Sequence, residues 1–159
     1  VVDLERASIS TFANRLESIS NELGVYPNST YVAPTEPEGD SGESIYITKR
    51  VQLENPASAL KVYLDAALLN NADIQVMYKI LRSDDSVEFD EIGWVYFNGD
   101  GSPDDVVNPS SNVEEFKEYA FGADTLPEFI GFSVKIRMTG TNSSTPPLIK
   151  RLRALALAI

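Results

Sequence analysis

The apolar positions along this chain change period once. In the first segment, VVDLERASISTFANRLESISNEL, Ile9, Phe12, Leu16, Ile19 and Leu23 recur at intervals of 3, 4, 3 and 4, and Val2 carries the seven-residue spacing back from Ile9. A 3-4 alternation puts these side chains on one narrow stripe of an α-helix. That is the a/d seam of a coiled coil, narrower than the face a helix turns to a globular core. Asp3 is placed to cap the start, Arg6 stands at the N3 place where an acid would complete a capping box, and Gly24 ends the helix. The expected role of residues 1–24 is oligomerisation through this seam, or docking within the chain or on another partner. Fewer than four heptads leave an isolated coiled coil marginal, so both outcomes stay open.

Residues 25–44, VYPNSTYVAPTEPEGDSGES, scatter Pro27, Pro34, Pro37, Gly39 and Gly42 among acids. The spacing predicts an extended linker, not a packed element. From Ser44 the period becomes two. SIYITKRVQL predicts a strand with Ile45, Ile47, Val51 and Leu53 on one face, Lys49 discordant, and a break at Asn55-Pro56. ALKVYLDA turns Leu60, Val62 and Leu64 one way, and DIQVMYKILR does the same with Ile74, Val76, Tyr78 and Ile80 after an Asn70-Asn71 turn. In IGWVYF, Trp94 and Tyr96 share one side, Val95 and Phe97 the other. EFKEYAF is a short strand, and FIGFSVKIRM faces Ile130, Phe132, Val134, Ile136 and Met138 inward. LIKRLRALALA closes the series; apolar nearly throughout, it reads as a strand covered on both faces.

About seven to eight short strands at roughly ten-residue spacing, with no helical pattern between them, predict a mainly β domain over residues 45–159. The expected architecture is an antiparallel β-sandwich or jelly roll preceded by the N-terminal α-helix. A composition of 43% hydrophobic and 9% aromatic residues supports a packed core. The longest apolar runs are too short for a bilayer span, and the start lacks the order of a signal peptide. A start at Val1, with no initiator Met, reads as a fragment or a processed product.

Charge and residue inventory narrow the chemistry. A net charge of −11 from 24 acids and 13 bases disfavours nucleic acid and anionic membranes as partners, because both are bound by neutralising phosphate. The chain has no Cys and no His. Thiolate or imidazole zinc sites, internal disulfides, His-based nucleophilic triads and histidine pH switches are therefore excluded. The three bases of the last strand, Lys150, Arg151 and Arg153, are expected to pair with acidic loops near 84–91 or 100–105, or to face a neighbouring subunit.

Four stretches invite chemistry. NGDGSPDD (98–105) spaces oxygen ligands like a calcium loop, but Pro103 stands where the loop needs Gly and Pro109 where it needs a bidentate Glu, so an acidic turn is the expected reading. Asp84, Asp85, Glu88, Asp90 and Glu91 include carboxylates of the kind a glycosidase pairs across a sugar; adjacent acids in a loop more often form a solvated face. Trp94 and Tyr96, with Tyr46 and Tyr63, are candidate glycan-stacking residues or core aromatics. Asn28-Ser29-Thr30 and Asn142-Ser143-Ser144 match the glycosylation tripeptide and are read as polar loop residues. Gly-Asp-Gly at 99–101 lacks the Lys of a phosphate-binding loop. No catalytic, cofactor-binding or metal-binding residue is assigned.

YITKRVQLENPASALKVYLDA, DIQVMYKILRSDD with the aromatic segment after it, FKEYAF, and the closing KIRMTGTNSSTPPLIKRLRALAL, taken as a hairpin, together resemble a β-domain of large virion structural proteins. These belong to tailed bacteriophages with contractile tails, in particular baseplate and tail-fibre components of phages of marine bacteria. The resemblance covers about residues 45–158. It implies a non-enzymatic building block without a cofactor, located in the virion and in the host cytoplasm during assembly. Its implied partners are other virion proteins and copies of itself, in a trimer as tail parts commonly are. The competing expectation is a carbohydrate- or receptor-binding β-sandwich at a fibre tip, and a weaker one is a carboxylate-based glycan hydrolase.

Overall fold

The computed structural model describes residues 33–37, 44–142 and 144–159, and in it the period-two stretches form eight strands in two antiparallel sheets. The strands are β1 (Ser44–Ile47), β2 (Val51–Ala57), β3 (Ala59–Ala67), β4 (Ala72–Leu81), β5 (Val95–Tyr96), β6 (Lys117–Ala123), β7 (Phe129–Gly140) and β8 (Leu148–Leu157). In the larger sheet β7 is central: β4 pairs along one side of it, β1 and β2 follow each other along the other, and β5 lies beyond β4. In the smaller sheet β3 lies between β6 and β8. The N-terminal helix and its seam residues Ile9, Phe12, Leu16, Ile19 and Leu23 lie outside the described residues.

The alternation read from the sequence places most of the core. Leu60, Val62 and Leu64 of β3 share one hydrophobic cluster with Tyr119 and Phe121 of β6, Ile74, Val76 and Tyr78 of β4, and Phe132, Val134, Ile136 and Met138 of β7. The two sheets therefore bury their apolar faces together, the burial that drives β-layer packing. Phe97 is fully buried between the sheets, its ring centroid 4.7 Å from Tyr78 and 6.0 Å from Phe121.

Four expectations need correction. The single strand expected over 44–53 is two strands, β1 and β2, flanking residues 48–50, and the second runs through Asn55-Pro56 to Ala57. Tyr46 and Leu53 pack against the core, whereas Ile47 and Val51 are exposed. Tyr46 and Leu53 are an odd number of residues apart, so the face flips across the interruption, which is why Lys49 broke the alternation. The irregular stretch is held by side chains: Thr48 Oγ1 accepts from the Val134 amide at 3.0 Å, and the Ser133 hydroxyl donates to the Thr48 carbonyl at 2.8 Å. Pro56 is tolerated because, among the described residues, β2 pairs only with β7 and the register is broken between Gln52 and Ala57, so its missing N–H interrupts no regular ladder.

The closing hairpin is not a hairpin. β7 belongs to the larger sheet and β8 to the smaller, so the 141–147 connection crosses between them. Pro146 and Pro147, both buried, have no N–H to extend a ladder back along β7. The crossing is tied instead to the β3–β4 connection: the Thr141 amide donates to the Asn71 carbonyl at 2.9 Å and Asn71 Nδ2 to Thr145 Oγ1 at 2.7 Å.

β8, expected to be covered on both faces, pairs only with β3 among the described residues and forms an edge. Part of the expected linker is packed too. Residues 33–37 make a turn in which Pro34 is buried, its carbonyl accepting from Lys135 Nζ at 2.8 Å.

Candidate functional site

Two surfaces carry the side chains that sequence alone could not place. The first is the outer face of the larger sheet. Lys79 of β4 and Lys135 of β7 point away from the core, yet Lys135 is 0% exposed and Lys79 nearly so. Residues 33–37 and the stretch 89–94 roof them. Lys79 Nζ donates to the Phe89 carbonyl at 3.0 Å and lies 4.5 Å from the Phe89 ring centroid and 4.8 Å from that of Trp94; Lys135 Nζ lies 5.5 Å from the Trp94 ring. The Trp94 amide in turn donates to the Thr35 carbonyl, fastening one part of the roof to the other. Aromatic faces and carbonyls offset part of the cost of taking an ammonium out of water.

Burial holds the Lys79 ammonium below its usual 10.5, with Asp90 opposing and Lys135 reinforcing the shift. The folded chain therefore binds fewer protons than the unfolded chain between the folded pKa and 10.5, and Lys79 makes stability rise with pH through that window. Lys79→Met is expected to flatten this rise on the alkaline side, below 10.5. Urea midpoints across the range check it, below the point where Tyr78 and Tyr119, raised from their usual 10.0 by burial, begin to oppose it. A rise unchanged in the variant would refute the assignment.

Trp94 is thus 4% exposed and presents no open ring face, and Tyr96 is half-buried. Of the two readings open for this pair, the burial of Trp94 is that of a packed aromatic. Sequence reasoning missed Lys79 and Lys135, although the signal was there: single lysines in the outward phase of YKI and VKI, flanked by apolar residues on strands too apolar to have a wet side.

The second surface is β8 with its neighbours. Arg151 has φ +53°, and the register of β8 on β3 shifts between Tyr63 and Asp65. This is a bulge, the device that twists a sheet edge. It sets Arg151 Nη1 3.5 Å and Arg153 Nη2 4.0 Å from the Asp65 carboxylate, while Arg153 also reaches Glu118 at 2.8 Å. Lys150 Nζ lies 3.9 Å from the Phe116 ring centroid. The strand's bases are therefore engaged by its own sheet and the adjoining loop, not by the acids of 84–91 or 100–105. Cross-strand partners are set by topology, which a single sequence does not display. Such exposed pairs contribute about 0–1 kcal/mol each. Beyond the bulge, Leu155 is 50% and Leu157 37% exposed, in line on the outward face opposite Lys61 and Ala59.

The loop 98–105 spends its oxygens on itself. Asp100 Oδ1 accepts from the Ser102 amide at 2.9 Å and from its hydroxyl, which hold the Asp100 carboxyl below its usual 3.8. Asp104 Oδ1 accepts from Asn98 Nδ2 at 3.0 Å and from the Gly122 amide at 2.9 Å. Gly101, at φ +82°, lies so close to β4 that a Cβ there would stand 2.8 Å from the Cβ of Gln75. In the acidic run, Asp84 pairs with Arg82 at 2.7 Å, and Asp85 accepts from the Arg82 amide at 2.8 Å. Among the described residues no group of three or more Asp or Glu side chains is placed to hold a metal ion, and no helix is long and apolar enough to cross a membrane.

Comparison of the chain with protein-family models, with curated proteins and with solved structures found no match.

Proposed function

We propose that this chain is a non-catalytic structural domain of a phage tail or baseplate assembly, a β-sandwich of jelly-roll type that works through contacts with other virion proteins and with copies of itself. The observation that carries the assembly part is the β8 edge. Among the described residues a ten-residue strand ends one sheet, paired on one side only, with Leu155 and Leu157 aligned on its exposed face. An open apolar edge offers main-chain hydrogen bonds together with side-chain area, the combination by which strands recruit other chains. The bulge at Arg151 and the three bases limit the access to its beginning, leaving the apolar half as the point of contact. The phage assignment is supported by the resemblance over residues 45–158, and the a/d seam from Ile9 to Leu23 supports self-association.

The full chain is expected to scatter light as a multiple of its 17.5 kDa mass. A chain beginning at Ala33, which keeps the packed 33–37 turn, is expected to have a lower mass if the seam assembles it. Leu155→Arg with Leu157→Arg is expected to weaken whatever association remains. A monomeric full chain, with both changes silent, would remove self-association from the reading.

The receptor-binding alternative now needs a surface other than Trp94. Saccharide titration by calorimetry with the folded chain tests it directly.

A further inference from the structure

The β8 edge is guarded along its first half and open along its second. Up to Arg153 it carries three bases and the bulge at Arg151, the devices that keep a sheet edge from pairing with another chain. From Ala154 to Ile159 it reads ALALAI, without a charge, a Pro or a Gly. This half is held in regular register on β3, from the Tyr63–Arg153 pair to the Ala59–Leu157 pair. On the inner phase Leu152 and Ala156 pack against the core, while Ala154, Leu155 and Leu157 are exposed. A straight, preformed and uncharged ribbon is therefore offered to a partner strand.

Charge selects the partner. Each base of β8 already has a partner in its own chain: Arg153 has Glu118 and Asp65, Arg151 has Asp65, and Lys150 has the Phe116 ring. An acidic strand would have to share bases that are already neutralised, and a basic strand would meet them as like charges. An uncharged run is matched by an uncharged run, and every second copy of this chain brings one of equal length. The guarded half then fixes direction. Parallel pairing in register would set Arg153 opposite Arg153 and Arg151 opposite Arg151 of the second copy. Antiparallel pairing sends the bases to opposite ends. About a two-fold axis at Leu155, Arg153 faces the second copy's Leu157, and Arg151 with its bulge lies beyond the paired run. An axis normal to the sheet also keeps the outer face outward, so the leucines of both copies share one surface.

We propose that β8 pairs antiparallel with β8 of a second copy, about a two-fold axis at Leu155 or Ala156, joining two three-stranded sheets into one continuous sheet. The contact is isologous and closes on itself. The proposal rests on the assembly reading above and names the partner and the geometry of its β8 edge. So short a ribbon covers less than the roughly 800 Å² per partner of a standard interface, so the edge alone is expected to associate weakly.

The chain has no Cys, so one introduced thiol can pair only with its own mate in another copy. The test is mild oxidation of full-length single-cysteine variants along β8, scored as disulfide-linked dimer under denaturing conditions. In an antiparallel pair the mates separate by about 7 Å for each residue from the axis. Leu155→Cys or Ala156→Cys is therefore expected to link best, with yields falling on both sides. Lys150→Cys, whose mates stand roughly 30 Å or more apart, is expected not to link. Val106→Cys, on a loop outside β8 and 97% exposed, gives the yield of random collision. The best β8 position is expected to exceed it about tenfold or more, because pairing raises the local thiol concentration. Yields at 154–157 no higher than for Val106→Cys, or Lys150→Cys linking as well as Leu155→Cys, would overturn the proposal. Light scattering of the parent chain separates the two failures. An oligomeric mass with a flat profile removes the β8 axis and leaves the assembly reading, and a monomeric mass removes self-association with it.

Discussion

Phe97→Ala is expected to lower the unfolding free energy by about 3–5 kcal/mol. Phe97 is fully buried and touches rings in both sheets, Tyr78 from the larger and Phe121 from the smaller. Its position follows from local backbone: the chain leaves β5 at Tyr96, and a short turn over 97–101 with Asn98, Gly99 and Gly101 at positive φ drops the ring between the layers. Alanine there would open a cavity between two sheets whose separation is set by other contacts, so little collapse can repair it. Urea denaturation of parent and variant checks this; a loss below about 1.5 kcal/mol would show that the layers close over the gap.

Trp94→Ala is expected to cost a similar amount, about 3–5 kcal/mol, for a different reason. Trp94 belongs to the roof on the outer face, where its ring lies over both Lys79 and Lys135. Removing the ring admits water to two ammonium groups whose burial it accommodates, while the Trp94 amide bond to the Thr35 carbonyl is retained. Trp94→Phe separates these effects. The Trp94 Nε1–H is buried without a partner, so phenylalanine forfeits no hydrogen bond and keeps an aromatic face. It is expected to cost less than about 1.5 kcal/mol. Equal losses in the two variants would mean that an aromatic face over the lysines is not enough and that the indole itself is required. The consequence for function is direct: loss of saccharide binding in Trp94→Ala would report unfolding unless stability were measured beside it.

What the sequence disclosed divides along physical lines. Alternation is a property of one strand, so Leu60, Val62, Leu64, Ile74, Val76 and Val134 could be assigned to the inner face before any pairing was known. Pairing is a property of two strands far apart in the chain, and there the reading failed. KIRMTGTNSSTPPLIKRLRALAL has all the local marks of a hairpin, but its second half pairs with β3. Lys135 escaped notice because a charged residue in the outward phase reads as solvated, and only tertiary structure shows the Pro34 carbonyl and Trp94 covering it.

The order of the ladders has one further consequence. Among the described residues β1 and β2 pair with β7, β4 with β7 and the short β5, and β3 with β6 and β8, so none of the first four strands pairs with another of the four. A ribosome that has made the chain only as far as Leu81 holds four sticky ribbons and no completed ladder between them. Closure waits for the stretch from Phe129 to Leu157, and the chain must stay unaggregated until that stretch emerges. The abundance of acid in this protein, 24 carboxylates against 13 bases, would serve the nascent chain during that delay.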